Sequence, residues 1–200
     1  VTPGRAEDEA VAERHQESGA GGGFRLASER AVYEGSVISL VVGTFVAPDG
    51  ETFERDVVHH PGAVSVVPLL DDGTVVLVRQ FRSALNADLL EIPAGKRDVH
   101  GEAQETTARR ELGEEIGMRA DSVELLAEFH NSPGFCDEHS WVFLAQGLHP
   151  TAVDRQGIEE HHMVREHARL DDVTEMIADG RITDAKTIIG LLLTLRRLAC

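Results

Sequence analysis

Cysteine is scarce in this sequence. Only Cys136 and Cys200 occur in 200 residues, and they lie far apart. No disulfide framework and no paired-thiol metal site can be built from them, so a reducing, cytoplasmic setting is expected. Basic residues are also in short supply: 19 Lys and Arg face 35 Asp and Glu, a formal net charge of −16. A nucleic-acid binder shows a clustered basic face, and no such cluster appears. No nucleic-acid partner and no membrane partner are expected, whereas cation binding and a plain soluble surface both suit the acidic excess. Long hydrophobic runs are missing too. The longest, Ile188 to Leu195, is broken by Gly190 and Thr194 and is too short to span a bilayer. The opening stretch, VTPGRAEDEAVAERHQ, is polar and acidic, unlike a secretory signal.

What is present suffices for one domain with a modest N-terminal extension. At 42% hydrophobic residues the chain can bury a sizeable core without a staple. Residues 1–23 lack apolar periodicity and end in Gly19-Ala20-Gly21-Gly22-Gly23, which reads as a disordered tail. From Phe24 to Phe81 the texture is β. Val37 to Val46 and Glu51 to His59 flank the turn Pro48-Asp49-Gly50, a hairpin pattern. Ala63 to Leu70 and Thr74 to Val78 flank Asp71-Asp72-Gly73, which reads as a second hairpin. The near-continuous apolarity of these runs points to strands covered on both faces.

Glu102 to Gly117 is expected to be helical, with Gly117 ending it. Val123 to Phe129 and Ser140 to Gln146 look like strands. Gly147 to His162 is polar and reads as a loop. Asp171 to Ala178 and Asp184 to Leu198 read as helices, the second presenting Ile188, Ile189, Leu192 and Leu195 on one face. Strands, a helix, further strands and closing helices predict an α+β chain, an α/β/α sandwich around a mixed β-sheet.

The densest carboxylate array lies on the first helix. Glu111, Glu114 and Glu115 stand at i, i+3 and i+4, within roughly a 100° arc of one face. Like charges so placed repel unless a cation sits between them, and hard divalent ions such as Mg²⁺ or Mn²⁺ prefer oxygen ligands. Glu102 lies upstream, and Arg110, one turn before Glu114, is placed to hold one of the carboxylates. Taken alone, such a charge run also suits a solvated face.

The wider pattern resembles the Nudix box. Gly95, then Glu102, then seven residues and Arg110-Glu111-Leu112-Gly113-Glu114-Glu115-Ile116-Gly117-Met118 match its fixed positions. One departure is visible: six residues, not five, separate Gly95 from Glu102, which implies a longer loop ahead of the helix. The resemblance implies an α/β/α sandwich, a Mg²⁺- or Mn²⁺-dependent hydrolase, and a substrate built on a nucleoside diphosphate. It implies Glu111, Glu115 and the Ala94 carbonyl as metal ligands, with Glu114 a ligand or close to one. Leu90-Glu91-Ile92-Pro93-Ala94-Gly95, Val78-Arg79-Gln80-Phe81-Arg82 and the Ser132-Pro133-Gly134-Phe135-Cys136-Asp137-Glu138 run resemble marks of the ADP-ribose pyrophosphatase subgroup.

On that resemblance, the expected reaction is hydrolysis of ADP-ribose to AMP and ribose 5-phosphate. Another nucleoside-diphosphate sugar, or a non-catalytic nucleotide sensor, is the alternative. Arg82 and Glu138 are the candidate substrate-binding residues, and Arg110 and Glu114 join the catalytic set. The resemblance further implies a late-loop carboxylate as general base, here Glu159, with Glu160 as the alternative. In an extended segment those two side chains would point in opposite directions. It also implies a homodimer formed through a β-rich region at residues 24–60, ahead of a hydrolase domain at 61–200. His161 and His162, adjacent in an extended segment, make a poor zinc site. Trp141 reads as core, and either it or Tyr33 could stack on a base. Cys136 has no base beside it and is not read as a nucleophile.

Overall fold

The structure, a computed structural model, describes residues 22–97, 99, 101–153 and 158–199, and of Glu159 the backbone alone. Most of the tail expected at 1–23 therefore lies outside the described residues. The chain divides into two compact units at His59/His60.

The first unit is an antiparallel three-stranded sheet, β1 (Arg25–Glu34), β2 (Ser39–Val46) and β3 (Thr52–His59), in that order. The β2–β3 hairpin turns at Pro48-Asp49-Gly50, where Gly50 adopts φ 90°. Phe45 and Phe53, directly opposite in the register, stack with ring centroids 5.6 Å apart.

The second unit holds two further sheets. One is mixed: β7 (Ala94–Lys96), β4 (Ala63–Pro68), β9 (His139–Pro150) and β8 (Met118–His130), with β4 and β9 parallel. The other is antiparallel: β10 (Val164–Arg169), β5 (Thr74–Arg82) and β6 (Ala87–Glu91). The helices are α1 (Gln104–Ile116), α2 (Ile158–His162), α3 (Val173–Ala178) after a 3-10 turn at Leu170–Asp172, and α4 (Ala185–Leu198).

Alternation along the strands feeds two cores. Val64 and Val66 of β4, Val76 and Val78 of β5, and Trp141, Phe143 and Ala145 of β9 pack with Ala108, Leu112 and Ile116 of α1. Their neighbours Val67, Val75, Leu77, Val142 and Leu144 pack on the other side with Val173 and Met176 of α3 and Leu191 of α4. Side chains of successive strand residues point to opposite faces, so a continuous apolar run must be covered twice. The result is the expected α/β/α sandwich.

Three expectations are corrected. Residues 63–78 do not form a hairpin. The turn at Asp71-Asp72-Gly73 carries the chain from one sheet to the other, with a single bridge, Leu69 to Val75, between the flanking segments. β4 is buried along its whole length and uses both its edges on β7 and β9, leaving none for β5. Gly147 to His162 is not one loop: β9 extends to Pro150, and residues 158–162 are helical. On α4 the buried residues are Thr187, Gly190, Leu191 and Thr194, while Leu192 is exposed and Ile188 and Leu195 only border the core. Gly190 sets this face, because a Cβ there would stand 2.9 Å from both Val67 and Val142.

Candidate active site

Helix α1 ends as its sequence requires. Gly117 takes the left-handed conformation, φ 62°, and its amide reaches back to the Gly113 carbonyl at 3.0 Å. Arg165 of β10 donates to the Ile116 carbonyl at 2.7 Å, so a cation also covers the negative end of the helix. Ala108, Leu112 and Ile116 anchor one stripe in the core, which fixes the rotation of the carboxylates beside it.

Those carboxylates differ in environment. Glu111 and Glu115 are buried at 5% and 2% exposure, an unusual placement for acids unless they are partnered. Glu115 accepts a hydrogen bond from the Ala94 amide at 3.1 Å. Burial, and then the neighbouring Glu111 charge, push its proton affinity well above the ordinary carboxylate range. Glu160 adds to the rise, while the Ala94 amide and Arg82 oppose it. Glu114 is more open and is held by Arg110, whose Nη1 lies 2.8 Å from Glu114 Oε2 and 3.0 Å from Glu111 Oε1. Arg110 Nη2 also faces Glu102 at 3.5 Å, and Thr107 Oγ1 donates to Glu102 at 2.7 Å. Burial works against the Arg110 charge, but Glu111, Glu114 and Glu102 outweigh it and raise its pKa.

The Gly95 segment closes over this face. The Glu111 carboxylate lies where a Cβ on residue 95 would stand, so any other residue there would displace it. The one-residue-longer loop between Gly95 and Glu102 leaves this contact intact.

Two of the other expected residues meet unexpected partners. Arg82 grips Glu91 with a bidentate pair, Nε to Oε1 at 2.7 Å and Nη2 to Oε2 at 2.6 Å. The hydrogen bond to Glu91 holds the guanidinium's pKa up against burial, and the Asp184 and Glu115 charges add to it. Glu91 is fully buried, with the Lys186 ammonium 3.7 Å away. Glu138 is half-buried beside the turn at residues 132–136, and its carbonyl accepts from the Asn131 amide. The neighbouring Asp137 fixes the His60 amide at 2.8 Å.

The late carboxylates sit on a helical turn rather than in an extended segment. Adjacent residues on a helix stand about 100° apart, not on opposite faces as in an extended segment. Glu160 is close enough to Glu115 to act on its charge. The side chain of Glu159 lies outside the described residues. Met163, buried at the start of β10, ties this turn into the α1-side core. Trp141 is buried, as expected.

Among the described residues, no three His, Cys, Asp or Glu side chains already form a metal cage. The donor set nevertheless suits a hard divalent cation. Its atoms are all oxygens, two of the carboxylates are buried side by side, and their mutual repulsion is what a cation would relieve. Glu91, Thr187 and Lys186 escaped the sequence reading as parts of this region. The signal available was Glu91 itself, an acid inside an apolar strand, with Arg82 at the end of the preceding strand.

Residues 59–189 match the profile of the NUDIX domain. The chain is 38% identical over 164 residues to the ADP-ribose pyrophosphatase of Bacillus subtilis, covering 82% of this chain and 88% of that protein. It is 37% identical over 161 residues to the methanol dehydrogenase activator of Bacillus methanolicus, covering 80% and 86%. It is 33% identical over 169 residues to the ADP-ribose pyrophosphatase of Mycobacterium tuberculosis, covering 84% and 82%. A solved structure of an ADP compounds hydrolase superposes with a TM-score of 0.77 at 19% identity, over 88% of this chain and 94% of that one.

Proposed function

This chain belongs to the Nudix family, and we propose that it is a Mg²⁺-dependent pyrophosphatase that hydrolyses ADP-ribose to AMP and ribose 5-phosphate. The observation that carries the reading is the buried, mutually repelling pair Glu111 and Glu115 under the Gly95 segment. A divalent ion bound there would neutralise phosphate charge and lower the pKa of a bound water. Mg²⁺ or Mn²⁺ suits this oxygen set, held by Glu111, Glu115 and the Ala94 carbonyl.

The chain's own residues supply the rest. Arg110 bridges Glu114 and Glu111 through one nitrogen and offsets the repulsion between them. Arg82 brings a cation next to the carboxylates, where an anionic diphosphate needs one, and Glu138 belongs to the substrate-facing set. Glu159 is assigned as the general base that takes the proton from the attacking water. Its place on the same helical turn as Glu160, whose charge acts on Glu115, supports the assignment.

We also propose that the protein is a cytoplasmic homodimer, the location resting on its scarcity of cysteine. No helix among the described residues is long and apolar enough to cross a membrane. Val32 and Tyr33 of β1 and Val37 and Ile38 of the β1–β2 connection are exposed apolar side chains that a second copy would cover. Light scattering at micromolar concentration tests this: a single-chain mass overturns the dimer.

The decisive experiment is a panel of nucleoside-diphosphate sugars with Mg²⁺, read by the nucleotide released. AMP from ADP-ribose, abolished by EDTA, is the expected result. Faster release of GMP from GDP-mannose would replace the substrate while keeping the reaction. Nucleotide binding without turnover would make the protein a sensor.

A further inference from the structure

The first turn of α4 reaches across the core to the segment that carries Ala94. Thr187 is fully buried. Its hydroxyl donates to Asp184 Oδ2 at 2.7 Å and accepts from the Ile92 amide at 2.9 Å. A hydroxyl has one proton, so the bond to Asp184 leaves a lone pair facing Ile92. Asp184 is the N-cap of α4. It also accepts from the Thr187 amide at 2.9 Å and from Lys186 Nζ at 2.7 Å. Burial raises the Asp184 pKa, but the Lys186 charge and these hydrogen bonds prevail and hold it below its ordinary value.

Four polar groups of residues 91–94 have defined partners. The Glu91 carboxylate meets Arg82 and Lys186. The Ile92 amide meets Thr187. The Pro93 carbonyl accepts from the Val66 amide at 2.9 Å. Proline has no N–H, so the next amide is that of Ala94, which holds Glu115. Ile92 is itself fully buried, and its amide would have no access to water if Thr187 were removed. A single residue, Pro93, separates the amide that Thr187 fixes from the amide that fixes Glu115.

We propose that Thr187 is a positioning residue for the metal site, acting through the Ile92 amide on Ala94 and so on the Glu115 carboxylate; this rests on the metal-dependent hydrolase reading. Thr187 touches neither metal nor substrate. Groups that orient a metal's ligands change affinity by about 10–100-fold when removed.

The test compares Mn²⁺ affinity, followed by the EPR signal of free Mn²⁺, in wild-type protein and in Thr187→Val and Thr187→Ser. Valine keeps the shape and removes the hydroxyl; serine keeps the hydroxyl. The expected result is Mn²⁺ binding weakened about tenfold in the valine variant and restored in the serine variant, with kcat falling more than the KM for ADP-ribose changes. A valine variant that melts earlier yet binds Mn²⁺ like wild type overturns the proposal, leaving Thr187 a packing residue. A second measurement needs no variant. Coupling is reciprocal, so Mg²⁺ must slow hydrogen exchange at the Ile92 amide and in the first turn of α4 in the wild-type protein. Unchanged exchange there overturns the proposal even if the valine variant does not fold. Wild-type protein that binds Mn²⁺ but cleaves no nucleotide sugar defeats the pyrophosphatase reading, while the affinity comparison still decides the role of Thr187.

Discussion

The carboxylate of Glu111 fills the space that a side chain on Gly95 would need. Two residues sixteen positions apart are thus fitted to one another, and a side chain at 95 would force the Glu111 carboxylate to move. Gly95→Ala is expected to displace Glu111 from the pair it makes with Glu115. Misplacing a reacting constellation by about 1 Å costs on the order of a hundredfold in rate. Steady-state kinetics with ADP-ribose, together with a Mg²⁺ activation curve shifted to higher concentration, checks this. An unaltered rate would mean that Glu111 is not a ligand.

Glu115→Gln is expected to lower kcat by at least about a hundredfold, because metal charge stabilisation is worth several kcal/mol. Its effect on the metal-free fold runs the other way. Burial and the Glu111 charge raise the folded-state pKa of Glu115 above its ordinary 4.5. Above that ordinary value the unfolded chain has released the proton while the folded protein still holds it. Stability therefore falls as pH climbs from 4.5 toward the raised value, by up to about 1.4 kcal/mol per pH unit. Denaturation curves in EDTA should show this slope in wild-type protein and a flatter one in Glu115→Gln.

Arg82 has a structural duty beside any contact with substrate. Among the described residues, Arg82→Ala would leave the fully buried Glu91 with Lys186, 3.7 Å away, as its one cation. Breaking a buried pair from one side costs about 3–5 kcal/mol, and the half-open guanidinium brings the expected loss to about 2–3 kcal/mol. Arg82→Lys should recover little of it, since an ammonium cannot reproduce the two-pronged contact. Urea denaturation measures the loss. A stability equal to wild type would assign Arg82 to substrate alone.

Glu159→Gln is expected to reduce kcat by about 10²–10⁴ with Mg²⁺ affinity nearly intact, the signature of a lost general base. Glu160→Gln is not expected to be silent, because its charge acts on Glu115. Removing it should lower the pKa of Glu115 and move the acidic limb of the pH–rate profile to lower pH. If the large loss of kcat falls on Glu160→Gln instead, the base is one residue further along α2.

Much of this was legible in the residues because it depends on local pattern. The helix stop at Gly117, the hairpin around Gly50 and the doubly covered strands follow from backbone freedom and side-chain alternation. That Glu111 and Glu115 share one face of α1 follows from their spacing, whereas their burial does not. The misreadings involve partners distant in sequence. Nothing local to residues 63–78 says that β4 prefers β9 to β5, since both neighbours are equally apolar. Likewise the inward face of α4 is set by Gly190 and Thr187, a close approach and a hydrogen bond, which a count of large apolar residues ranks last.

The parallel pairing of β4 with β9 has a consequence for how the molecule folds. Ala63 lies opposite Ser140 and Pro68 opposite Ala145, so the middle of the sheet joins segments some 77 residues apart. Such a contact closes a long loop before it gains any stability, which makes folding slow. While that loop is open, β4 exposes a ladder edge and two apolar faces. Helix α4, whose first turn clamps Ile92, lies beyond both strands in the chain. Synthesis from the N-terminus thus leaves the Ile92–Ala94 segment, the one proposed to carry the metal site, without its clamp until α4 has docked.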